Sequence, residues 1–429
     1  MAFITIPPWV PSTPAPGGVN DTQSTLAEIQ ASVPSSGASI PLVYGPFQAG
    51  WLPCVADYDS GTATWTILGI VGLGEIESID QVWINGAAPV SGVVYNAYTG
   101  TTAQGVDSLL STANPAWDQT LVYADQDGNQ VGIAYIVLQY TNTHYSGFPT
   151  VIVEGKGRKV RDPRTATTAY STTFALMLAD MISDPIAGFG QPVNNASLVL
   201  AADANETGIT IPGAGIAKRQ GGLVLRNRRK TQDWIEVLRL YAACWVLKRG
   251  DTWYFRIDSN TAADATIGAD DQYGLPDVGR ADEEEVPTQV EVVYTDDTPD
   301  IWVTTSYKFP ETLPAGTPRR IGRIEMPGVF GFANAAREAM QAYAKLQTES
   351  RVVVWHGFTE QIEREQGDAI IYTHPVLHKE LFLRVSEKPV QIEPGLWRVP
   401  CVQLDNGDYT PTATPVTVPT SSQPKFIGG

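Results

Sequence analysis

Apolar and polar positions alternate over short stretches along most of the chain, the period expected of half-buried strands. Ile133-Ala-Tyr-Ile-Val-Leu-Gln-Tyr140 and the pair Val151 and Val153 read as strands, and Gly155 and Gly157 are expected to break the second before Asp162-Pro163 turns the chain. Short strands separated by Gly-Pro and Asn85-Gly86 turns are expected from Ser39 onward. Val122-Tyr123 and Val131-Gly-Ile133 read as the arms of a hairpin. Gln289 to Tyr294 and Ile301 to Tyr307 form another around Asp296-Asp297, and Arg320 to Met326 continues the pattern. Val352 to His356, Gln366 to Tyr372, Leu381 to Val385 and Gly395 to Val399 add four more strands.

Three stretches carry helical periodicity instead. Ser171, Thr172 or Thr173 can cap a helix in which Phe174 to Leu178, Met181 and Ile182 leave almost no polar face, so burial is expected. From Thr231, Trp234, Val237, Leu238, Tyr241, Ala242 and Trp245 fall on one helical stripe, with Asp233 in the positive first turn. Asn334 can cap a helix from Ala335 to Gln347 that presents Ala336, Met340, Tyr343 and Ala344 to a sheet. Asn194 to Gly215 reads as irregular, and Lys248 to Asp251 as a turn into an aromatic strand, Thr252 to Ile257. The balance is mainly β with α+β parts, and one helix among many late strands suggests a small barrel or sandwich.

Composition bounds the roles open to such a fold. With 429 residues the chain has room for several domains, and 39 Gly and 31 Pro suit a turn-rich β protein. Residues 1–38 and 411–429 are rich in Pro, Ser and Thr and cannot bury a core alone. The first is an arm, either free or laid across a neighbouring subunit. The acidic run Asp282 to Glu285 marks a late domain boundary. A net charge of −17 argues against sequence-specific nucleic-acid binding, which needs Lys and Arg to displace counterions, yet suits a conduit past which DNA must slide. Neither a signal peptide nor a run of 18 apolar residues is apparent, so synthesis in a cytoplasm without direct membrane insertion is expected.

Chemistry has little to work with. Cys54, Cys244 and Cys401 are far apart and unpaired in spacing, which fits small buried residues better than a disulfide or zinc framework. His374 and His378 are separated by four positions, but Pro375 favours a loop over a helical metal face. Asp125 to Asn129 resembles a calcium loop without the closing Glu and reads as a turn. Gly72, Gly74 and Glu75 complete no phosphate-binding loop. No catalytic, cofactor-binding or metal-binding residue is therefore assigned, and an enzyme is not expected.

The positive exceptions in this acidic chain are Lys156, Arg158, Lys159, Arg161 and Arg164, followed by Arg226, Arg228, Arg229 and Lys230. They either face water or pair with carboxylates of a neighbouring copy, such as Asp282 to Glu285. On the second reading Arg158, Lys159, Arg161, Arg164, Arg228 and Arg229 are candidate subunit-interface residues.

The wording EGKGRKVRDPRTATTAYSTTFALMLAD, with IPLVYG, LGEI and VWING upstream, resembles the central tail-tip or baseplate hub proteins of long-tailed, siphovirus-like bacteriophages. That family includes the host-specificity protein of phage lambda. The helix, turn and aromatic strand around Trp245 to Ile257 are similar to it as well, and so is the order of P-G-V turn, Ala-rich helix, strand, G-D-A-I strand and final strand into Asp408-Tyr409. The chain departs where the family often has an aromatic before DPR and Asn-Pro-Ala after YS; here Arg161 and Thr172-Thr173-Phe174-Ala175 stand there.

The resemblance implies two tail-tube-like β-barrel or sandwich domains, 39–155 and 286–410, joined by a helix-containing middle domain, 156–285. It implies a homotrimeric structural hub in the virion tail tip, part of the DNA-ejection conduit. The implied partners are tail-tube or distal tail proteins, the tape-measure protein, and tail fibre or receptor-binding proteins; DNA is only transiting cargo. A secreted or surface carbohydrate-binding or hydrolysing β protein is the alternative, since Trp-rich, acidic, β composition also suits it. Exposed Trp beside paired carboxylates would favour that alternative, and buried Trp would oppose it.

Overall fold

The computed structural model describes residues 40–417 except 119, 125–127, 129, 146–147, 227–229, 260–261, 281–285, 299, 349–350 and 410–415. The chain divides into two compact units, residues 1–191 with 221–238 and residues 192–220 with 239–429. The arm 1–38, most of the tail 411–429, Arg228, Arg229, the acidic run 282–285 and most of the calcium-like turn lie outside the described residues.

The first unit holds β1 (Leu42–Tyr44), β2 (Pro46–Gly50), β3 (Leu52–Asp59), β4 (Thr64–Leu73), β5 (Ile76–Ile84), β6 (Val94–Thr99), β7 (Val122–Ala124), β8 (Gln130–Thr141), β9 (Val151–Asp162) and β10 (Thr167–Tyr170). Its helices are α1 (Ser108–Ala113) and α2 (Phe174–Ser183). Two antiparallel sheets face each other: one runs β3-β4-β8-β6 with β7 also on β8, the other β10-β9-β2 with β5 also on β9. Their facing sides share a core of Trp65, Ile67, Ile136, Leu138, Tyr140, Val82, Val151 and Val153, the alternation that a sandwich requires. The β7–β8 pairing and the tight turn at Asn85 and Gly86, both at positive φ, agree with the sequence pattern.

Gly155 and Gly157 correct one expectation, because β9 runs through both without a break. Neighbouring backbone is the physical reason. A Cβ on Gly155 would meet Ser78 O at 2.2 Å, and one on Gly157 would meet Val43 O at 2.6 Å, so these glycines let β9 lie against adjacent strands instead of ending it. β9 then pairs with β2, β5 and β10.

In the second unit and the segment 221–238 the chain forms β11 (Ile209–Ile211), β12 (Gly215–Ala217), β13 (Leu223–Leu225), β14 (Cys244–Arg249), β15 (Thr252–Ile257), β16 (Ala265–Ile267), β17 (Asp277–Arg280), β18 (Gln289–Asp296), β19 (Val303–Phe309) and β20 (Ile321–Phe330). β21 (Arg351–Gly357), β22 (Ala369–Thr373), β23 (Glu380–Val385), β24 (Val390–Glu393) and β25 (Leu396–Gln403) follow. The helices are α3 (Asn195–Glu206), α4 (Thr231–Ala242) and α5 (Phe332–Thr348). β13 belongs to the first unit, where it pairs with β1.

The largest sheet of the second unit runs β16-β22-β23-β25-β21-β17 with β24 on β25, around Trp355, Tyr372, Leu383, Val385 and Cys401. It recruits β16 and β17 from before the acidic run. A smaller sheet, β19-β18-β20, contains the expected hairpin, while β20 joins β18 in parallel. Among the described residues the sheets stay open, so the fold is mainly β without the closed barrel that was one of the expected forms.

The helices depart from the pattern in instructive ways. Asn194 to Gly215 is not irregular: Asn194 caps α3 by accepting the Ser197 N–H at 2.9 Å, and Leu198, Ala201, Ala202 and Asn205 are its buried side. Trp245 does not extend the α4 stripe but stands in β14, half-buried, whereas Trp234, Leu238, Tyr241 and Ala242 are buried as expected. α5 begins before Asn334, whose side chain accepts the Lys218 N–H at 2.8 Å and donates to Phe330 O at 2.8 Å instead of capping. Met340 and Ala336 are buried, and Tyr343 meets Phe309 edge-on at 5.6 Å. No helix among the described residues is long and apolar enough to cross a membrane.

Candidate functional site

The basic stretch lies largely within β9, which continues past the break expected at Gly155 and Gly157, and most of its described charges are already engaged. Arg158 lies on the face of β9 opposite the core residues Val151 and Val153 and is buried there, whereas Arg161 is exposed. Arg158 sits against α2, with Nε 3.2 Å from Asp180 Oδ2 and Nη2 bonded to Asp184. Tyr44 donates its hydroxyl to the same Asp180 oxygen at 2.8 Å. Asp184 also accepts the N–H groups of Ile186 and Ala187, so one carboxylate both pairs with the strand and shapes the turn after the helix.

Burial alone would depress the Arg158 pKa, but Asp180, Tyr44 and Asp184 more than offset it and the guanidinium stays charged. Burial pushes the Asp180 carboxyl up despite Arg158, with Asp184 adding to the rise. The cluster therefore ties β9 to α2 inside the first unit.

The other basic side chains vary. Lys159 Nζ lies 2.7 Å from Glu75 and 3.7 Å from Glu77 on β5 and its approach. Arg164 forms a two-pronged contact with Asp162 across the turn, at 3.1 and 2.7 Å to Oδ2. Lys156 is 6.0 Å from the Tyr170 ring, and Arg226 donates to Gly50 O. Arg161 is the exposed member of the candidate set that the structure describes.

The second unit holds a charge cluster that sequence reading missed. Asp258, just after β15, accepts from Lys345 of α5, Arg384 of β23 and the Tyr409 hydroxyl, the last at 2.7 Å. Lys345 and Arg384 also lie 4.9 and 5.6 Å from the Tyr409 ring. Burial by itself would raise the Asp258 pKa, but Lys345 and Arg384, helped by Tyr409, reverse this and hold it well below the usual carboxylate range. The available signal was Arg384 within LFLRV, a charge in an otherwise apolar strand.

A second group centres on Arg219, whose Nε is 3.1 Å from Glu338 Oε1 and which also bonds Gln341. Beside it Arg337 is buried, with Nε and Nη1 unmatched among the described residues. Burial and the nearby Arg219 lower the Arg337 pKa to about 10. Arg256 bonds Asp264 and Asp368, and Arg249 bonds Glu365, so α5 and the large sheet are laced by ion pairs.

Other candidates resolve into structural roles. His374 is in a turn and accepts the N–H groups of Val376 and Leu377 at 3.2 and 3.1 Å. Among the described residues no group of three His, Cys, Asp or Glu is placed to hold a metal ion. Cys244 and Cys401 are buried and Cys54 half-buried, all as free thiols. Trp51, Trp65, Trp234 and Trp355 are buried, and the remaining described tryptophans are half-buried. None forms the exposed aromatic platform on which the carbohydrate alternative depended.

Residues 230–387 match the model of a family described as "Putative phage tail protein". That segment contains Asp258, Lys345 and Arg384. No curated protein matches the chain. Among solved structures, a chain in the virion of a native gene transfer agent particle shares the fold, with a TM-score of 0.61, 18% identity, and coverage of 89% of this chain and 88% of that one. A 43 kDa tail protein of prophage MuSo2 from Shewanella oneidensis aligns over 85% of this chain and 98% of its own at 10% identity and a TM-score of 0.32. A tail protein from Neisseria meningitidis MC58 does so over 87% and 98% at 11% and 0.35. No argument rests on these two weaker superpositions. The family match and the shared fold support a structural role in a phage tail and a place in the virion.

Proposed function

We propose that this chain is the hub of a phage tail tip, closing the tail tube and anchoring the adsorption proteins while forming part of the DNA-ejection conduit. The observation that carries this reading is the tail-protein family match over residues 230–387. The fold shared with a virion chain supports it. Three copies form a ring in which the sheet-rich portions 39–155 and 286–410 of each chain present six similar bodies to a six-fold tube. The helix-containing portion 156–285 braces that ring. Its neighbours are tube or distal tail proteins above, the tape-measure protein within and fibre or receptor-binding proteins outside.

The role is mechanical, and open sheets laced by buried ion pairs suit a body that must hold shape under load. A conduit with negative net charge lets DNA pass without gripping phosphates. Arg161, exposed on β9, is the described member of the candidate interface set free to meet a neighbouring carboxylate in this ring. Light scattering on the purified chain and electron microscopy of isolated tails test the proposal. A threefold ring at the tube end is expected; a chain absent from purified tails would overturn it.

A further inference from the structure

Among the described residues, the free edge of the first unit's larger sheet lacks the usual protection against pairing. β6 is bonded to β8 from Val94↔Gln139 to Thr99↔Ala134, and among the described residues no strand pairs with its other side. An antiparallel strand with one neighbour leaves alternate N–H and C=O groups pointing outward, and proteins ordinarily blunt such edges with Lys, Pro or a covering segment. Here Ala87 to Val106 contains no charged residue at all. Val94 and Tyr95 are 49% and 37% exposed, and Val90 and Val106 beside the strand are 46% and 40% exposed. The strand is nevertheless held firmly. Asn96 and Tyr98 donate to Asp107 at 2.8 and 3.0 Å, Asp107 caps α1, and Tyr98 stacks on Tyr135 at 4.4 Å.

The chain supplies a segment of matching chemistry. Met1 to Asn20 is also free of charged side chains, and Phe3-Ile-Thr-Ile6 alternates apolar and β-branched residues before Pro7-Pro8 stops further pairing. Where the described chain begins also fits. Pro41 O accepts the Leu73 N–H at 2.8 Å at the end of β4, and β8 bridges β4 to β6 at that level through Gly72↔Ala134 and Thr99↔Ala134. Residue 41 thus enters about three strand spacings, or ~14 Å, from the end of β6. The residues between Pro7 and Ser39 can extend roughly 100 Å, several times that distance.

We infer that Phe3 to Ile6 adds to the free edge of β6 of its own chain as a further strand, so that the N-terminal segment is an in-chain cover for an assembly surface. The backbone groups of β6 supply the hydrogen bonds, and Val94, Tyr95, Val90 and Val106 receive the alternating side chains.

Hydrogen exchange on the full-length chain tests this directly. With Ile4→Lys and Ile6→Lys together, amides of β6 should exchange at least tenfold faster than in the wild type, because the covering strand cannot place two charges on an apolar edge. Val94→Lys should reciprocally expose the amides of Phe3 to Ile6. A photo-crosslinking residue at Thr5 should attach to the segment 90–106 in a species of one-chain mass when isotopically heavy and light chains are mixed. Unchanged β6 exchange in the double variant would overturn the pairing. Crosslinks joining heavy to light chains would overturn the in-chain form and assign the edge to the arm of a second copy, and crosslinks elsewhere would overturn the site.

Discussion

Removing the Asp258 carboxylate is the most revealing single change to the second unit. Asp258→Ala takes the acceptor from three donors at once, Lys345, Arg384 and Tyr409. The Arg384 side chain is only 2% exposed and that of Lys345 17%, so neither cation can recover its hydration without local opening. Breaking one partner out of such a buried group costs ~3–5 kcal/mol, against the ~0–1 kcal/mol of a surface pair. Arg384→Met should cost less than Asp258→Ala, because it removes the buried cation and leaves Asp258 with Lys345 and Tyr409. In the double variant the two losses should add to less than their sum, the signature of a shared interaction.

Acid titration sharpens the test. The folded-state pKa of Asp258 is depressed, so its contribution is complete above the unfolded value of about 3.9 and is lost as pH falls from there toward the folded pKa. Asp258→Asn should therefore be less stable than wild type at neutral pH, and the gap should narrow progressively below about pH 4. Denaturant unfolding of the full chain, followed by near-ultraviolet circular dichroism, measures both quantities. A midpoint for Asp258→Ala equal to that of wild type, or a larger loss for Arg384→Met than for Asp258→Ala, would refute the reasoning.

Other outcomes follow from named contacts. Gly157→Ala should destabilise by roughly 2 kcal/mol or more, since its Cβ would meet Val43 O and Gly45 O within 2.8 Å and backbone cannot step aside. Gly279→Ala on β17, where a Cβ meets nothing within 4 Å, should be neutral or stabilise by about 0.5 kcal/mol, and calorimetry on the pair checks both. Arg337→Met should hold or raise the melting temperature, because it replaces a buried cation with unmatched Nε and Nη1 by an apolar side chain of similar length; a drop of several degrees would contradict this. Arg161→Glu should leave the isolated chain's stability within about 0.5 kcal/mol while weakening ring assembly measured by light scattering. Intact rings would remove Arg161 from the interface.

Local pattern was enough wherever a segment's own side chains decided its state. The apolar run Phe174 to Ile182 could only be a buried helix, Asn85-Gly86 could only be a tight turn at positive φ, and the alternation from Gln289 to Tyr307 required a hairpin. The resemblance in wording pointed to a phage tail, and the family match over 230–387 agrees at that coarser level.

Tertiary structure decided what depends on residues far apart in the chain. Gly155 and Gly157 look like strand breakers until Ser78, Val43 and Gly45 bring their backbone within reach. α3 has a thin apolar side, so its helical state rests on a capping Asn194, a hydrogen bond from Asn205 to Ala242 O and packing on β15. Trp245 continues a helical stripe in sequence, yet its place in β14 is set by pairing with Arg256 across the β14–β15 hairpin. The basic residues of β9 could not reveal their partners, because Asp180 and Asp184 reach Arg158 only after α2 folds back on the strand. Asp258, Lys345, Arg384 and Tyr409 span 151 positions, and no local period encodes a meeting that requires a sheet, a helix and the segment after β25 to converge.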